Sequence, residues 1–276
     1  MENDPTFGWM YIVTNWHVVK KASNPVVRIN RKDGTADCIE TEESYWRQHP
    51  AGDDIGILRC GIGEDLKVQS IPTTMFLTRQ LVEDEDVGIG DDSFMIGRFI
   101  NHEGRQQNAP AVRFGNIAMM PKEPIKSLYG INQESFLLEI RSLPGYSGSA
   151  VILYSPCAMN DMSTRRFGKP KAIPEFSLRR KTREQQEEFA AQLGGALWPK
   201  GPYLLGIDWC HLQARVPLID KDGKPVDGLF VEQNSGMAGV IPAWKILEAI
   251  NSEEQLMARR KDEKRFLEQS SRVSLD

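Results

Sequence analysis

Leu143–Ile152 reads LPGYSGSAVI. Proline and closely spaced glycines punctuate the chain around one serine, Ser147, and the apolar run that follows continues as a β-like stretch to Tyr154. The segment is therefore a turn that delivers a hydroxyl at the start of a strand. A serine hydroxyl is a poor nucleophile at neutral pH and needs a base within hydrogen-bond reach. Histidine has the ordinary pKa for that task, and a carboxylate is needed to hold its tautomer and stabilise its charged form.

Two other stretches supply these groups. Tyr11–Val19 (YIVTNWHVV) and Asp53–Leu58 (DDIGIL) each set a polar side chain, His17 and Asp54, at one end of an apolar β-like run. The order is His, Asp, Ser, with spacings of 37 and 93 residues. The charge that develops on an attacked carbonyl needs fixed donors, and glycines beside the serine free the backbone to aim amides inward. An α/β-hydrolase elbow also presents a serine in a glycine-rich turn, but that turn runs into a helix. Here GYSGSAVILY runs on as a strand, and His211, though downstream, lacks the expected setting. His49, His102 and His211 are read as structural.

These three motifs resemble those of the chymotrypsin-like (trypsin-like) serine proteases, most closely the bacterial HtrA (DegP) type. YIVTNWHVV is similar to that family's histidine motif, DDIGIL to its aspartate motif in a register that selects Asp54 over Asp53, and PGYSGSAV to its serine motif. VGIGDDSFMIGRF, YLLGIDW and GMAGVIPAW resemble the family's second-barrel opening, its pocket-lining strand and its last strand with the start of the final helix. The resemblance spans most of residues 7–250. It implies His17 as general base and then acid, Asp54 as its orienter and Ser147 as nucleophile. The amides of Gly145 and Ser147 would form the oxyanion hole. Ile207, Asp208 and Trp209, with Gly236–Gly239 and Ala238 among them, would wall the S1 pocket. Arg141 would lie near its base and disfavour basic P1 side chains. No cofactor is implied, because such a triad needs none.

Composition agrees with a soluble β-rich chain. The 276 residues carry 40 % apolar and 26 % charged residues, a globular balance. No apolar run is long enough for a transmembrane helix. A net charge of −4 disfavours nucleic acid as a partner. The four cysteines are scattered without a CxxC pair, so neither a disulfide scaffold nor a structural zinc site is expected. Strands are expected at Trp9–Thr14, Pro25–Asn30, Thr35–Thr41, Asp54–Cys60, Ser93–Phe99, Ala111–Met119, Phe136–Arg141, Ala150–Leu153, Tyr203–Trp209 and Gly228–Gln233. KDGTA at Lys32–Ala36 marks a hairpin. The acidic stretch EDED before VGIGDD is read as a solvated loop rather than a calcium site.

The expected fold is thus all-β, with two six-stranded antiparallel β-barrels of the chymotrypsin-like kind and a C-terminal helix. The first barrel, residues 1–65, would lack its opening strand or strands, since only about eight residues precede Trp9. Residues 66–92 would connect it to the second barrel, 93–250, which carries an insertion at 155–202 with a basic helix. Residues 251–276 would be a charged tail, helical and then disordered, too short for a PDZ domain. The expected partner is a protein or peptide substrate, with a possible protein partner at 155–202 and no membrane. No signal peptide opens the sequence, so a cytoplasmic location is expected, or a periplasmic or secreted one if the N-terminus is cut short. The rival reading is an inactive or latent protease-fold scaffold that binds through the insertion or the tail.

Overall fold

The computed structural model describes residues 8–98, 104, 106–126, 132–143, 145–154 and 202–273. The expected insertion, Ser155–Pro202, lies outside the described residues but for its last. So does His102.

Strand β1 (Met10–Thr14) leads into a short helix, α1 (Trp16–Lys21). The hairpin β2 (Val26–Asn30) and β3 (Ala36–Glu40) follows, paired from Val26 opposite Glu40 to Asn30 opposite Ala36. Its turn is closed by Asp33 Oδ1, which accepts from the Thr35 N–H and hydroxyl at 2.9 and 2.7 Å. The short β4 (Arg47–Gln48) and β5 (Gly56–Cys60) join β1 in a sheet of order β1-β5-β4. Among the described residues this half does not close into a barrel; it is one three-stranded sheet and one separate hairpin.

The second half does close. A one-turn helix and α2 (Arg79–Asp84) lie on the connection. β6 (Asp92–Arg98) and β7 (Pro110–Met119) follow, then the two-residue pair β8 (Ile125–Lys126) and β9 (Asn132–Gln133). β10 (Phe136–Glu139), β11 (Ala150–Leu153), β12 (Tyr203–Ile219) and β13 (Pro225–Pro242) complete a six-stranded closed barrel of order β10-β13-β12-β11-β6-β7. Inward-facing Met95, Ile117, Phe136, Leu138, Val151, Leu205 and Val240 fill it. A second cluster joins the halves: Ile55 and Ile57 of the first pack with Ile152, Leu204, Ile207 and Ile241 of the barrel. Each such aliphatic side chain contributes about 1.5–3 kcal/mol on burial. α3 (Ala243–Ile250), capped by Pro242, adds Ala243, Ile246 and Ala249 to the same cluster.

The strand expected at Trp9–Thr14 is β1, and the structure adds an element beyond it, α1, after Asn15. The β-branched Val18 and Val19 hide this helix from a propensity reading. β12 and β13 run 17 and 18 residues, far beyond the expected strands. Their outer parts form a two-stranded ribbon, with Val216 opposite Val231, and exposed side chains on both faces leave no buried alternation to read. The charged tail forms α4 (Glu253–Val273). It is tied across the first-half sheet by Arg47 to Glu254 at 2.6 Å, Arg59 to Asp262 at 2.7 Å and Trp9 Nε1–H to Glu263 at 3.3 Å. No helix among the described residues is long and apolar enough to cross a membrane.

Candidate active site

β1 ends at Thr14, and the next residue, Asn15, is fully buried. Its Nδ2–H donates to the Asp54 carbonyl at 3.1 Å. The first N–H groups of a helix have no partner within it. In α1 the His17 N–H donates instead to Asp54 Oδ1 at 2.8 Å, while His17 Nδ1 lies 2.6 Å from Asp54 Oδ2. One carboxylate therefore grips both the backbone and the ring of the same residue. An ionised carboxylate only accepts, so Nδ1 carries the proton and Nε2 presents its lone pair. Ser147 Oγ lies 3.1 Å from that Nε2, within reach to donate its hydroxyl proton. Asp54 is buried, and the imidazole is partly open, with 26 % of its side chain exposed.

The serine turn is shaped by its neighbours. Tyr146 is fully buried, its hydroxyl accepts from Arg113 Nε–H at 2.8 Å, and the guanidinium lies 4.7 Å over its ring. Gly97 makes room for that ring, because a Cβ there would come within 2.5 Å of Tyr146 Cδ1. Gly148 adopts φ +84°, and a Cβ on it would meet Thr14 Oγ1 at 2.5 Å. Glycine at this position lets the serine turn close onto the strand that leads to His17. Within the turn the Tyr146 N–H donates to Leu143 O at 3.1 Å and the Ser149 N–H to Tyr146 O at 2.8 Å. The Gly148 N–H donates to Asp208 O at 2.8 Å, and the Asp208 N–H returns to Ser149 O at 2.9 Å. The Ser147 N–H has no acceptor among the described residues. Gly145, at φ +94°, opens the turn and is exposed.

The remaining residues singled out from the sequence divide by burial. Ile207, Trp209 and Ala238 are taken up in the packed clusters, with Trp209 Nε1–H donating to Ser135 Oγ at 2.8 Å. Gly236 is half-buried at φ +80°. Asp208 is buried beside the serine turn, with Ser142 Oγ–H donating to its Oδ2 at 3.0 Å and no partner on Oδ1. Burial pushes its carboxyl up to about 7, against the opposing pull of the Ser142 bond. Burial, reinforced by Asp208, likewise pushes the Cys210 thiol up to about 12. Arg141 is exposed, and the buried polar residue beside it is Ser142.

Beside the site, His49, Asp53 and Glu248 bring potential metal ligands within 4.8 Å of one another. Lys245 Nζ stands among them, 3.2 Å from both Asp53 Oδ2 and Glu248 Oε2, so an ammonium already fills the cationic role. Sequence reasoning missed Asn15, Gln133, Ser142 and the Arg113–Tyr146 pair. Asn15 and Tyr146 at least lie inside the quoted motifs, whereas Gln133 and Arg113 carry no local signal.

No protein-family model and no curated protein matches this chain. Among solved structures it is similar to the MamO protease domain from Magnetospirillum magneticum, in apo form, at 14 % identity and a TM-score of 0.44, over 86 % of this chain and 80 % of that one. It is also similar to Deg5, at 18 % identity and a TM-score of 0.37, over 52 % of this chain and 63 % of that one. A third likeness is to the HtrA-type protease AlgW with a decapeptide, at 17 % identity and a TM-score of 0.43, over 88 % of this chain and 47 % of that one. This chain thus spans less than two thirds of the Deg5 and AlgW chains.

Proposed function

We propose that this chain is a serine endopeptidase that cleaves peptide bonds through an acyl-enzyme intermediate. The observation that carries the reading is the unbroken relay from Asp54 through His17 to Ser147, at 2.6 and 3.1 Å. Ser147 Oγ attacks the scissile carbonyl as His17 Nε2 takes its proton. Asp54 holds the ring and stabilises the imidazolium. The Ser147 N–H, together with that of Gly145, receives the oxyanion. The imidazolium then protonates the leaving amine, the C–N bond breaks, and the acyl group stays on Oγ. Water, deprotonated by His17, attacks the ester carbonyl; the bond from the acyl carbon to Ser147 Oγ breaks, the imidazolium returns its proton to Oγ, and the acid leaves. Every atom in this sequence comes from the chain, the peptide or water, so the chemistry proceeds without a cofactor.

In this reading residues 1–65 supply the base and its orienter, and residues 93–250 supply the nucleophile. The substrate is a peptide or protein that enters between the two halves. Ser147→Ala is expected to lower kcat for peptide hydrolysis by a factor on the order of 10⁶. Hydrolysis unchanged in that variant would refute the proposal.

A further inference from the structure

We infer that Gln133 is a positioning residue for the Asp54–His17 pair, an assignment that rests on the peptidase reading above. A buried backbone N–H must find an acceptor. That of Asp54 finds one in another part of the chain: Gln133 Oε1, 2.8 Å away and 79 positions distant in sequence. The Gln133 side chain is fully buried, and its two ends are told apart by their partners. Its Nε2 donates to Asp53 Oδ1 at 2.7 Å and to the Glu134 carbonyl at 3.3 Å, which turns the oxygen toward Asp54. Asp53 is in turn fixed by Lys245 at 3.2 Å and faces His49 Nδ1 at 3.0 Å.

The peptide units flanking Asp54 are thus held by two buried side-chain amides. Gln133 of β9 takes the N–H, and Asn15, beside His17, holds the carbonyl. With the backbone pinned at both points, Asp54 can aim Oδ1 at the His17 N–H and Oδ2 at the ring. The neutrality of the amide matters. A cation at residue 133 would compete with the imidazolium for the Asp54 carboxylate, and a second carboxylate would repel it. Gln133 fixes the geometry and leaves the charge of Asp54 to His17 alone.

The test uses the full chain with Gln133→Met, which keeps the bulk and removes both polar functions, and Gln133→Ala as a second variant. Three quantities are read beside the melting temperature. They are the rate of fluorophosphonate labelling, kcat and KM on a peptide substrate, and the downfield proton resonance of the His17 Nδ1–H, identified by its loss in His17→Ala. The expected result is a fall of about 10- to 100-fold in labelling and kcat at unchanged KM, with the resonance shifted or broadened. A folded variant with a native resonance, labelling rate and kcat, whatever its melting temperature, would overturn the assignment. If the native chain neither labels nor cleaves, the peptidase reading fails. The resonance then still decides the role of Gln133, since an unchanged signal in a folded variant contradicts it.

Discussion

Two neighbouring aspartates each face a histidine, and the two pairs differ in what stands on the far side of the ring. Asp54 faces His17 Nδ1, and the opposite nitrogen meets the Ser147 hydroxyl at 3.1 Å. Asp53 faces His49 Nδ1 at 3.0 Å, and the opposite nitrogen lies 3.3 Å from Glu248 Oε2. The His17 side chain is 26 % exposed and that of His49 only 1 %. His49 Nδ1 also receives the Ala51 N–H at 3.2 Å, a bond that needs the ring nitrogen unprotonated. Lys245 completes that cluster with a permanent cation. A histidine beside a carboxylate is thus not in itself catalytic machinery. The two rings differ in their third partner and in access from solvent.

The largest expected effect sharpens this contrast. Asp54→Asn should lower kcat by about 10⁴-fold, because an amide no longer enforces the His17 tautomer. Asp53→Asn should stay within about tenfold of native kcat, since an asparagine oxygen can still accept from Gln133. Its cost should fall on stability instead, roughly 1–3 kcal/mol by urea unfolding, as Lys245 loses a carboxylate partner. Equal losses of kcat in the two variants would break the comparison.

What the sequence discloses follows the same line. The His17, Asp54 and Ser147 motifs are legible because each is a polar residue set against an apolar strand, and the resemblance of DDIGIL to the family's aspartate motif is what singles out Asp54 over Asp53. Barrel strands such as Ala150–Leu153 are legible as short apolar runs, and there the structure buries the side chains as the residue types suggest. Gln133 is not legible. It is one amide on a two-residue strand, and its partner lies 79 positions away. α4 is legible in part. Its charged composition reads as a helix giving way to disorder, and what holds it, ion pairs to Arg47 and Arg59, is brought together only by the folded chain. The outer ribbon of β12 and β13 has no buried face at all, and so no pattern to betray it.

Lys245→Met offers the next test of the contrast. It leaves Asp53, Glu134 and Glu248 without their shared ammonium and should cost roughly 1–3 kcal/mol, with labelling of Ser147 retained. Loss of labelling in a folded Lys245→Met chain would show that the two clusters are one functional unit.

The smallest effect concerns pH. Burial, the largest influence, holds the His49 ring below its ordinary pKa of 6.5, against the pull of Asp53. The unfolded chain therefore takes up a proton first as pH falls. The stability tied to neutral His49 is present above 6.5 and lost as pH drops through the lower folded value. Asp208 runs the other way. Its carboxyl is raised from 3.8 to about 7, so its contribution is full below 3.8 and lost as pH rises through about 7. Urea unfolding in an Asp208→Asn background separates the two. There, stability should fall with acidification below 6.5, and adding His49→Gln should flatten that slope. An unaltered slope would mean that His49 is not the group responsible.

Whether His17 activates the Ser147 hydroxyl is read by mass spectrometry of the intact and the digested protein after fluorophosphonate treatment. One adduct is expected, on the peptide that carries Ser147, absent in both Ser147→Ala and His17→Ala. A native chain that forms no adduct, or an adduct that survives His17→Ala undiminished, would contradict that activation.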